Sequence, residues 1–201
     1  MKKLAILVSL LLLASYTDAF ALLRLGLKAG VNLANVTVDK GETDYQMKPG
    51  FIAGAMGEIP VSPGGALAVR TELLYVQKGA KFTQQSKDGK LLTDELVLAP
   101  FLVFRLPTPQ ITPFLQAGPE FGFNTLAKKD YDGTKDIGPH WKNNNFSINL
   151  GGGVMIPALG SDLTLDFRYN LGLVDMSLGQ GDFKTKTNGI QLLLGYNFLR
   201  I

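Results

Sequence analysis

Large apolar residues alternate with small or polar residues along most of this chain. In GIQLLLGYNF, residues 189–198, one face of an extended strand would carry Ile190, Leu192, Leu194, Tyr196 and Phe198. Successive side chains of a β-strand point to opposite faces, so a period of two predicts strands. Six further segments alternate in this way: 24–36, 50–59, 67–79, 114–124, 146–156 and 162–172. With the apolar run at 96–105, the sequence predicts an all-β protein of eight strands.

The connections between the predicted strands alternate in length. Short turns lie at 60–65, 106–110 and 157–161, and longer polar segments lie at 37–48, 83–93, 125–144 and 174–187. Both ends of the predicted sheet then fall on the short-turn side. Short periplasmic turns and long extracellular loops are typical of outer-membrane barrels.

A soluble, lipocalin-like barrel could use the same alternation with its apolar face turned inward. That alternative predicts a mature protein that fractionates in the periplasm without detergent. The membrane interpretation is favoured because the polar face is rich in glycine, which suits a narrow lumen, and because aromatic residues lie near strand ends. Only a closed barrel can span lipid with strands. We therefore predict an eight-stranded antiparallel up-and-down transmembrane β-barrel.

Two prolines and one apolar strand depart from the simple pattern. Pro100 and Pro119 each remove a ladder donor inside a predicted strand, so we expect local bulges at both. The strand at 96–105 is apolar on both faces, so part of the lumen should be greasy.

The first 21 residues have the pattern of a cleaved Sec signal peptide: two lysines, about a dozen apolar residues and Ala19-Phe20-Ala21. Residues 22–201 would then form one barrel domain in the outer membrane of a Gram-negative bacterium. Cleavage would remove two lysines and one aspartate from 20 basic and 17 acidic residues, leaving a net charge of +2. This balance and the predicted export argue against a nucleic-acid partner.

The last predicted strand carries two aromatic residues close to the end of the sequence. Tyr196 and Phe198 should lie at the periplasmic interface where this strand closes the barrel against the first one. They are also similar to the C-terminal signal that barrel-assembly machinery reads, although Leu199-Arg200-Ile201 follow them.

Four stretches, TELLYVQKGAKF, LAPFLVFRL, QAGPEFGFN and LDFRYNLGLVD, resemble the PorT-like outer-membrane β-barrel family of Bacteroidetes in order and spacing. The resemblance covers the mature chain and implies a small eight-stranded barrel, similar in size to OmpA and OmpW. One branch of that family works in gliding and type IX secretion. The resemblance carries over no catalytic residue.

The inward face of the predicted barrel carries four residues of each charge: Lys28, Glu58, Arg70, Glu72, Arg105, Glu120, Asp166 and Arg168. Buried charges must be paired, so we expect a lumen ion-pair network that plugs and stabilises the barrel. The alternative is a narrow pore for ions or small solutes. Inward Met56, Phe101 and Leu193 argue against a continuous wet path. We expect no cofactor and no metal.

An enzyme is the third hypothesis. His140 lies in the longest predicted loop, and Ser147 and Ser177 are nearby in the predicted topology, but no serine stands in a nucleophile motif. We therefore expect a non-enzymatic protein. Mixed charges in the loops predict contact with outer-membrane lipid and lipopolysaccharide, or with a protein partner at the extracellular loops or periplasmic turns.

Overall fold

The computed structural model describes residues 23–38, 44–84, 87–106, 108–130, 134–136, 143–158, 160–175 and 185–200. The strands follow the chain in the order of their numbering: β1 Arg24–Val38, β2 Asp44–Pro60, β3 Leu67–Gln84, β4 Lys87–Arg105, β5 Thr112–Asp130, β6 Thr134–Asp136, β7 Asn144–Ala158, β8 Ser161–Gly172 and β9 Thr185–Arg200. The predicted signal peptide, residues 1–21, lies outside the described residues.

The strands form one closed antiparallel sheet. Neighbours follow the order β4-β3-β2-β1-β9-β8-β7-β5, and a further pairing between β4 and β5 closes the ring. The short strand β6 pairs only with the last residues of β5, where Thr134 lies opposite Asp130. The prediction of an eight-stranded up-and-down barrel is therefore confirmed. Its last strand, β9, pairs with β1 as expected from the alternating C-terminal segment.

The side chains divide between the two faces as the alternation predicts. Large apolar residues face outward, and Leu27 on β1 and Leu115 on β5 are 59% and 65% exposed. The residues between them, such as Lys28 and Gln116, are buried inside. Among the described residues, no helix is long and apolar enough to cross a membrane.

The strands are longer than predicted at the end of the barrel opposite the short turns. β3 and β4 run through most of the predicted loop at 83–93 and pair as far as Gln84 with Lys87. β5 likewise continues to Asp130, inside the predicted loop at 125–144. The sequence prediction ended each strand where the regular alternation of apolar residues stops. Backbone pairing continues beyond that point because it does not require an apolar side chain.

The expected bulges at the two prolines are absent. The β4–β5 register is the same on either side of a gap, with Leu98 opposite Phe121 and Leu102 opposite Ala117, so Pro100 falls opposite Pro119. Facing residues of an antiparallel hydrogen-bonded pair exchange both their N–H bonds. Because the two prolines face each other, the two missing N–H donors belong to the same pair of facing residues, and the rest of the ladder keeps its donors. Register shifts occur instead at Leu25/Gly26, Met47/Ile52 and Asp94/Glu95.

One wall of the lumen is apolar. The inward residues Val97, Ala99, Phe101 and Val103 of β4 are buried, and Phe114 of β5 lies in the same apolar cluster. This wall matches the expected greasy face of the strand at 96–105. The polar and charged residues of the lumen therefore have an apolar surface on one side.

Candidate functional site: the charged lumen

The lumen contains a dense set of buried charges. Every second residue of each strand points inward, and the strands have charged residues at several of these positions. Six cations and six anions in the described part of the chain are buried: Arg24, Lys28, Arg70, Lys78, Arg105, Arg168, Glu58, Glu72, Glu95, Glu120, Asp162 and Asp166. The formal charges of this set cancel.

The middle of the barrel is crossed by a four-residue cluster from β1, β3 and β8. Lys28 Nζ lies 2.7 Å from Glu72 Oε1 and 2.5 Å from Asp166 Oδ2. Arg168 donates two hydrogen bonds to Glu72, at 2.7 and 3.1 Å. All four side chains are fully buried, so each charge depends on its partners for the interactions that water would otherwise supply.

Arg70 joins this central cluster to a second group at the short-turn end of the barrel. Its Nη1 lies 3.4 Å from Asp166, and its Nη2 lies 2.9 Å from Glu58. Glu58 is also paired with Arg24, at 3.2 Å, and with Arg105. A longer contact of 3.8 Å joins Arg24 to Asp162.

A separate cluster lies toward the long-loop end. Lys78 Nζ is 2.8 Å from both Glu95 Oε2 and Glu120 Oε1. Asn149 donates a hydrogen bond to the other oxygen of Glu120 at 2.7 Å, and Asn145 donates to Glu95 at 3.0 Å. The two amides supply further donors to two carboxylates that share a single lysine.

Two arginines also pack against the apolar wall. The guanidinium of Arg168 lies 4.8 Å from the ring centroid of Phe101, and that of Arg70 lies 4.9 Å from the centroid of Phe114. A cation at this distance from a ring is attracted by its π electrons. Each arginine therefore bridges the charged side of the lumen to the greasy side.

Inward glycines make room for these long side chains. A Cβ on Gly151 would come within 2.7 Å of Cβ of Arg168, and one on Gly195 would come within 3.0 Å of Cγ of Lys28. Both glycines lie on strands that pair with the strand carrying the charge. The glycine-rich inner face is therefore a packing requirement of the charged lumen.

The structure brings the eight residues singled out in the sequence into the lumen, in two groups. Seven belong to the connected network around Glu58, Glu72 and Asp166, whereas Glu120 lies in the cluster with Lys78. Sequence reasoning missed four charged members: Arg24, Lys78, Glu95 and Asp162. Lys78 has the inward parity of β3 and could have been found from it. Arg24 and Asp162 lie at or near strand ends, where the parity signal is weakest, and Glu95 lies just before the predicted strand at 96–105, beside the register shift at Asp94/Glu95.

Only one of the residues considered for catalysis lies in the described part of the chain. His140 and Ser177 lie outside the described residues, and Ser147 is buried on the inner face of β7. In the described part of the chain, no group of three or more histidine, cysteine, aspartate or glutamate side chains could hold a metal ion.

Comparison with known proteins identifies the family. The outer membrane protein beta-barrel domain matches residues 15–178, which is most of the chain. The protein belongs to this family. As an outer-membrane barrel of the Gram-negative type, it presents its apolar outer face to lipid. No curated protein matches the sequence.

Solved outer-membrane barrels are similar to this chain at low sequence identity. Neisserial surface protein A is 15% identical, with 87% of this chain and 97% of that one covered and a TM-score of 0.52. OprG from Pseudomonas aeruginosa is 11% identical, with coverage of 88% and 94% and a TM-score of 0.49. The outer membrane enzyme PagL is 13% identical, with coverage of 86% and 99% and a TM-score of 0.44. At 15% identity the likeness to Neisserial surface protein A shows the fold alone.

Proposed function

We propose that this protein is a sealed, non-enzymatic outer-membrane barrel with a structural or interaction role. In this proposal the ion-pair network closes the lumen and stabilises the wall. The extracellular loops and periplasmic turns make the functional contacts with lipid or with a protein partner.

The observation that carries this proposal is the complete burial of the central cluster. Lys28, Glu72 and Arg168 span the lumen from β1, β3 and β8, and their side chains have no exposed surface. A water-filled channel would leave such side chains accessible. Removing one charge would leave its partner buried and unpaired, which costs about 3–5 kcal/mol. Each member of the cluster is therefore needed to keep the others paired inside the lumen.

Conductance in a planar bilayer tests the proposal. The refolded wild type should be silent, and a variant with Arg70→Ala and Arg168→Ala should leak, because two of the largest lumen side chains are gone. A Lys81→Ala and Lys90→Ala variant, with two exposed cations removed, is the matched control and should stay silent. Heat-dependent migration in gel electrophoresis verifies that each variant is folded. Steady ion-selective steps in the wild type would overturn the proposal.

A narrow pore for ions or small solutes is the second candidate, and one observation favours it. Buried polar atoms of Gln191, Thr164 and Asn197 have no hydrogen-bond partner among the residues that the structure describes. These side chains lie on β8 and β9, where the level of Asp166 and Leu193 separates Thr164 from Gln191. Buried unpaired polar groups commonly bind ordered water, so a file of water along this wall is the route that a pore would use.

Contact with lipopolysaccharide is supported by two outward lysines on the long-loop side of the apolar outer surface. On β3 the outward residues change from Tyr75 to Gln77 and then to Lys81, which lies directly opposite Lys90 of β4. Both lysines are exposed. Like charges opposite each other destabilise a sheet, and the phosphates of lipopolysaccharide would relieve this repulsion. Lipopolysaccharide should therefore raise the unfolding midpoint of the wild type more than that of a Lys81→Gln and Lys90→Gln variant.

We also propose a more specific family relation, an export route and an assembly signal for this protein. The diffuse strand motifs support a relation to PorT-type, secretion-associated barrels of Bacteroidetes, and residues 1–21 support Sec-dependent export with cleavage near Ala21. Tyr196 and Phe198 would serve as the signal for barrel-assembly machinery. N-terminal sequencing of the mature protein from outer membranes would test the cleavage, because an uncleaved Met1 would contradict it.

A further inference from the structure

The short-turn end of the lumen has more positive than negative charge. Arg24, Arg70 and Arg105 all contact a single carboxylate, Glu58. The nearest other anion at this rim is Asp162, which lies 3.8 Å from Arg24. The group therefore has three cations and two anions, and part of the charge of Arg70 is already shared with the central cluster through Asp166.

A fourth cation lies at the same rim. The β1–β9 register puts Arg200 directly opposite Arg24. Like charges that face each other across two strands destabilise the pairing unless an anion lies between them or close by. With Arg200, this end of the barrel has four arginines for the two carboxylates of Glu58 and Asp162.

Two of these arginines have buried donors without a hydrogen bond. Nε of Arg105 finds no acceptor in the described part of the chain, and Nε of Arg24 makes no hydrogen bond there and has only its 3.8 Å contact with Asp162. Arg105 is 3% exposed, and it donates from Nη1 to the carbonyl oxygen of Gly65 at 3.2 Å. A buried donor without an acceptor costs about 1–3 kcal/mol, and more when it is charged. An acceptor with negative charge would satisfy such a donor and offset the local excess of positive charge.

The rim is also reachable from the periplasmic side. Arg24 is the first residue of β1, Arg105 is the last of β4, and Gly65 belongs to a 3₁₀ turn at Pro63–Gly65 that connects β2 to β3. The side chains of Arg24 and Asp162 remain 10% and 12% exposed, whereas those of the central cluster are fully buried. A small ligand could therefore reach Arg24 at the rim without entering the lumen.

We propose that the periplasmic mouth of the barrel is a binding site for a small oxyanion, held by Arg24 and Arg105. Guanidinium groups match the geometry of phosphate and carboxylate oxygens and bind them through charge-assisted hydrogen bonds. The ligand is free inorganic phosphate or the phosphate headgroup of an inner-leaflet phospholipid, because both present the same oxyanion. The site neutralises the excess charge and satisfies the two Nε donors.

Titration of the full, refolded chain with inorganic phosphate tests the site. The protein is held in uncharged detergent at constant ionic strength, and binding is followed by calorimetry and by the width of the phosphorus resonance. Saturable binding of one phosphate is expected, weakened about ten-fold or more by Arg105→Gln, since a charge-assisted hydrogen bond contributes at least about 1.5 kcal/mol. Lys186→Gln removes one cation from the long-loop end of β9 and should bind as the wild type does. Non-saturable binding, or equal binding by both variants, would overturn the proposal.

A second variant covers the case in which Arg105→Gln does not fold. Glu58→Gln removes the carboxylate that the three arginines share, so phosphate should raise its unfolding midpoint more than it raises that of the wild type. An equal or smaller rise would contradict the site. Short-chain, water-soluble phosphatidylglycerol distinguishes the two sources of the oxyanion. Competition at lower concentrations than free phosphate assigns the site to lipid headgroups, and weaker competition assigns it to the free anion.

Discussion

Glu72 of β3 and Arg168 of β8 form a two-bonded ion pair across the lumen, with N–O distances of 2.7 and 3.1 Å and no exposed side-chain surface. The pair joins positions 96 residues apart in the chain. The strands that carry them do not pair with each other, so the contact forms only when the sheet closes. The pair therefore ties opposite walls of the barrel together.

Loss of the Glu72 charge should strongly destabilise the barrel. Glu72→Gln leaves Arg168 and Lys28 without their shared carboxylate, and we expect a loss of about 3–5 kcal/mol in the free energy of unfolding. Urea unfolding in lipid vesicles, followed by circular dichroism, measures this change. Lys81→Gln, an exposed charge on the same strand, should change the free energy by less than about 0.5 kcal/mol. Equal effects of the two substitutions would contradict the lumen network.

A side chain at Gly195, an inward glycine of β9, should disturb the packing of the neighbouring Lys28. Gly195→Ala brings a methyl group within 3.0 Å of Lys28 Cγ and closer still to Thr164, so we expect a loss of about 1–3 kcal/mol from overpacking. Gly57→Ala is the matched control, because its methyl group would meet only Leu25 Cδ2 at 3.5 Å. It should be neutral or slightly stabilising. The same urea assay compares the two, and a neutral Gly195→Ala would show that the lumen is looser than described.

A charge on the outer face should be costly in a depth-dependent way. Leu165 lies outward near the middle of β8 and is 53% exposed, so Leu165→Arg should cost about 2–4 kcal/mol in a bilayer. Leu199 lies outward near the end of β9, and Leu199→Arg should cost only about 0–1 kcal/mol. Unfolding in vesicles measures both. If both substitutions were harmless, this face would be in contact with water and not with lipid.

The terminal aromatic residue should matter for assembly more than for stability. Phe198→Ala should lower the amount of folded protein in outer membranes several-fold while the purified variant still refolds into vesicles. Phe104 is the matched control, an outward phenylalanine 45% exposed near the same end of the barrel, against 55% for Phe198. Phe104→Ala should leave assembly in cells unchanged. Equal assembly of both variants would argue against a C-terminal signal.

The alternation of residue types was sufficient to predict most of the architecture. Each of the eight long strands contains a predicted segment, because the apolar residues must face lipid and the pleat then fixes the parity of every neighbour. The inward parity of residues such as Arg70 and Asp166 followed from the same rule. The strand ends did not follow, because β3 and β4 continue as a paired hairpin after the regular alternation of apolar residues has ended.

Partners across the lumen could not be predicted from the sequence. Parity states that Lys28 and Glu72 point inward, but their contact depends on the stagger between β1 and β3, which are two strands apart in the sheet. The facing prolines show the same limit. Each looked like a site for a bulge when considered alone, and only the β4–β5 register shows that their missing donors fall at one position.

The sequence by itself determined the fold, the membrane-facing surface and the identity of most lumen charges, because a period of two assigns each residue to one face. The tertiary structure decided which charges meet, where positive charge accumulates and which donors remain unpaired. These properties depend on the closure and stagger of the barrel. They are set by distances between residues far apart in the chain, and no local pattern records those distances.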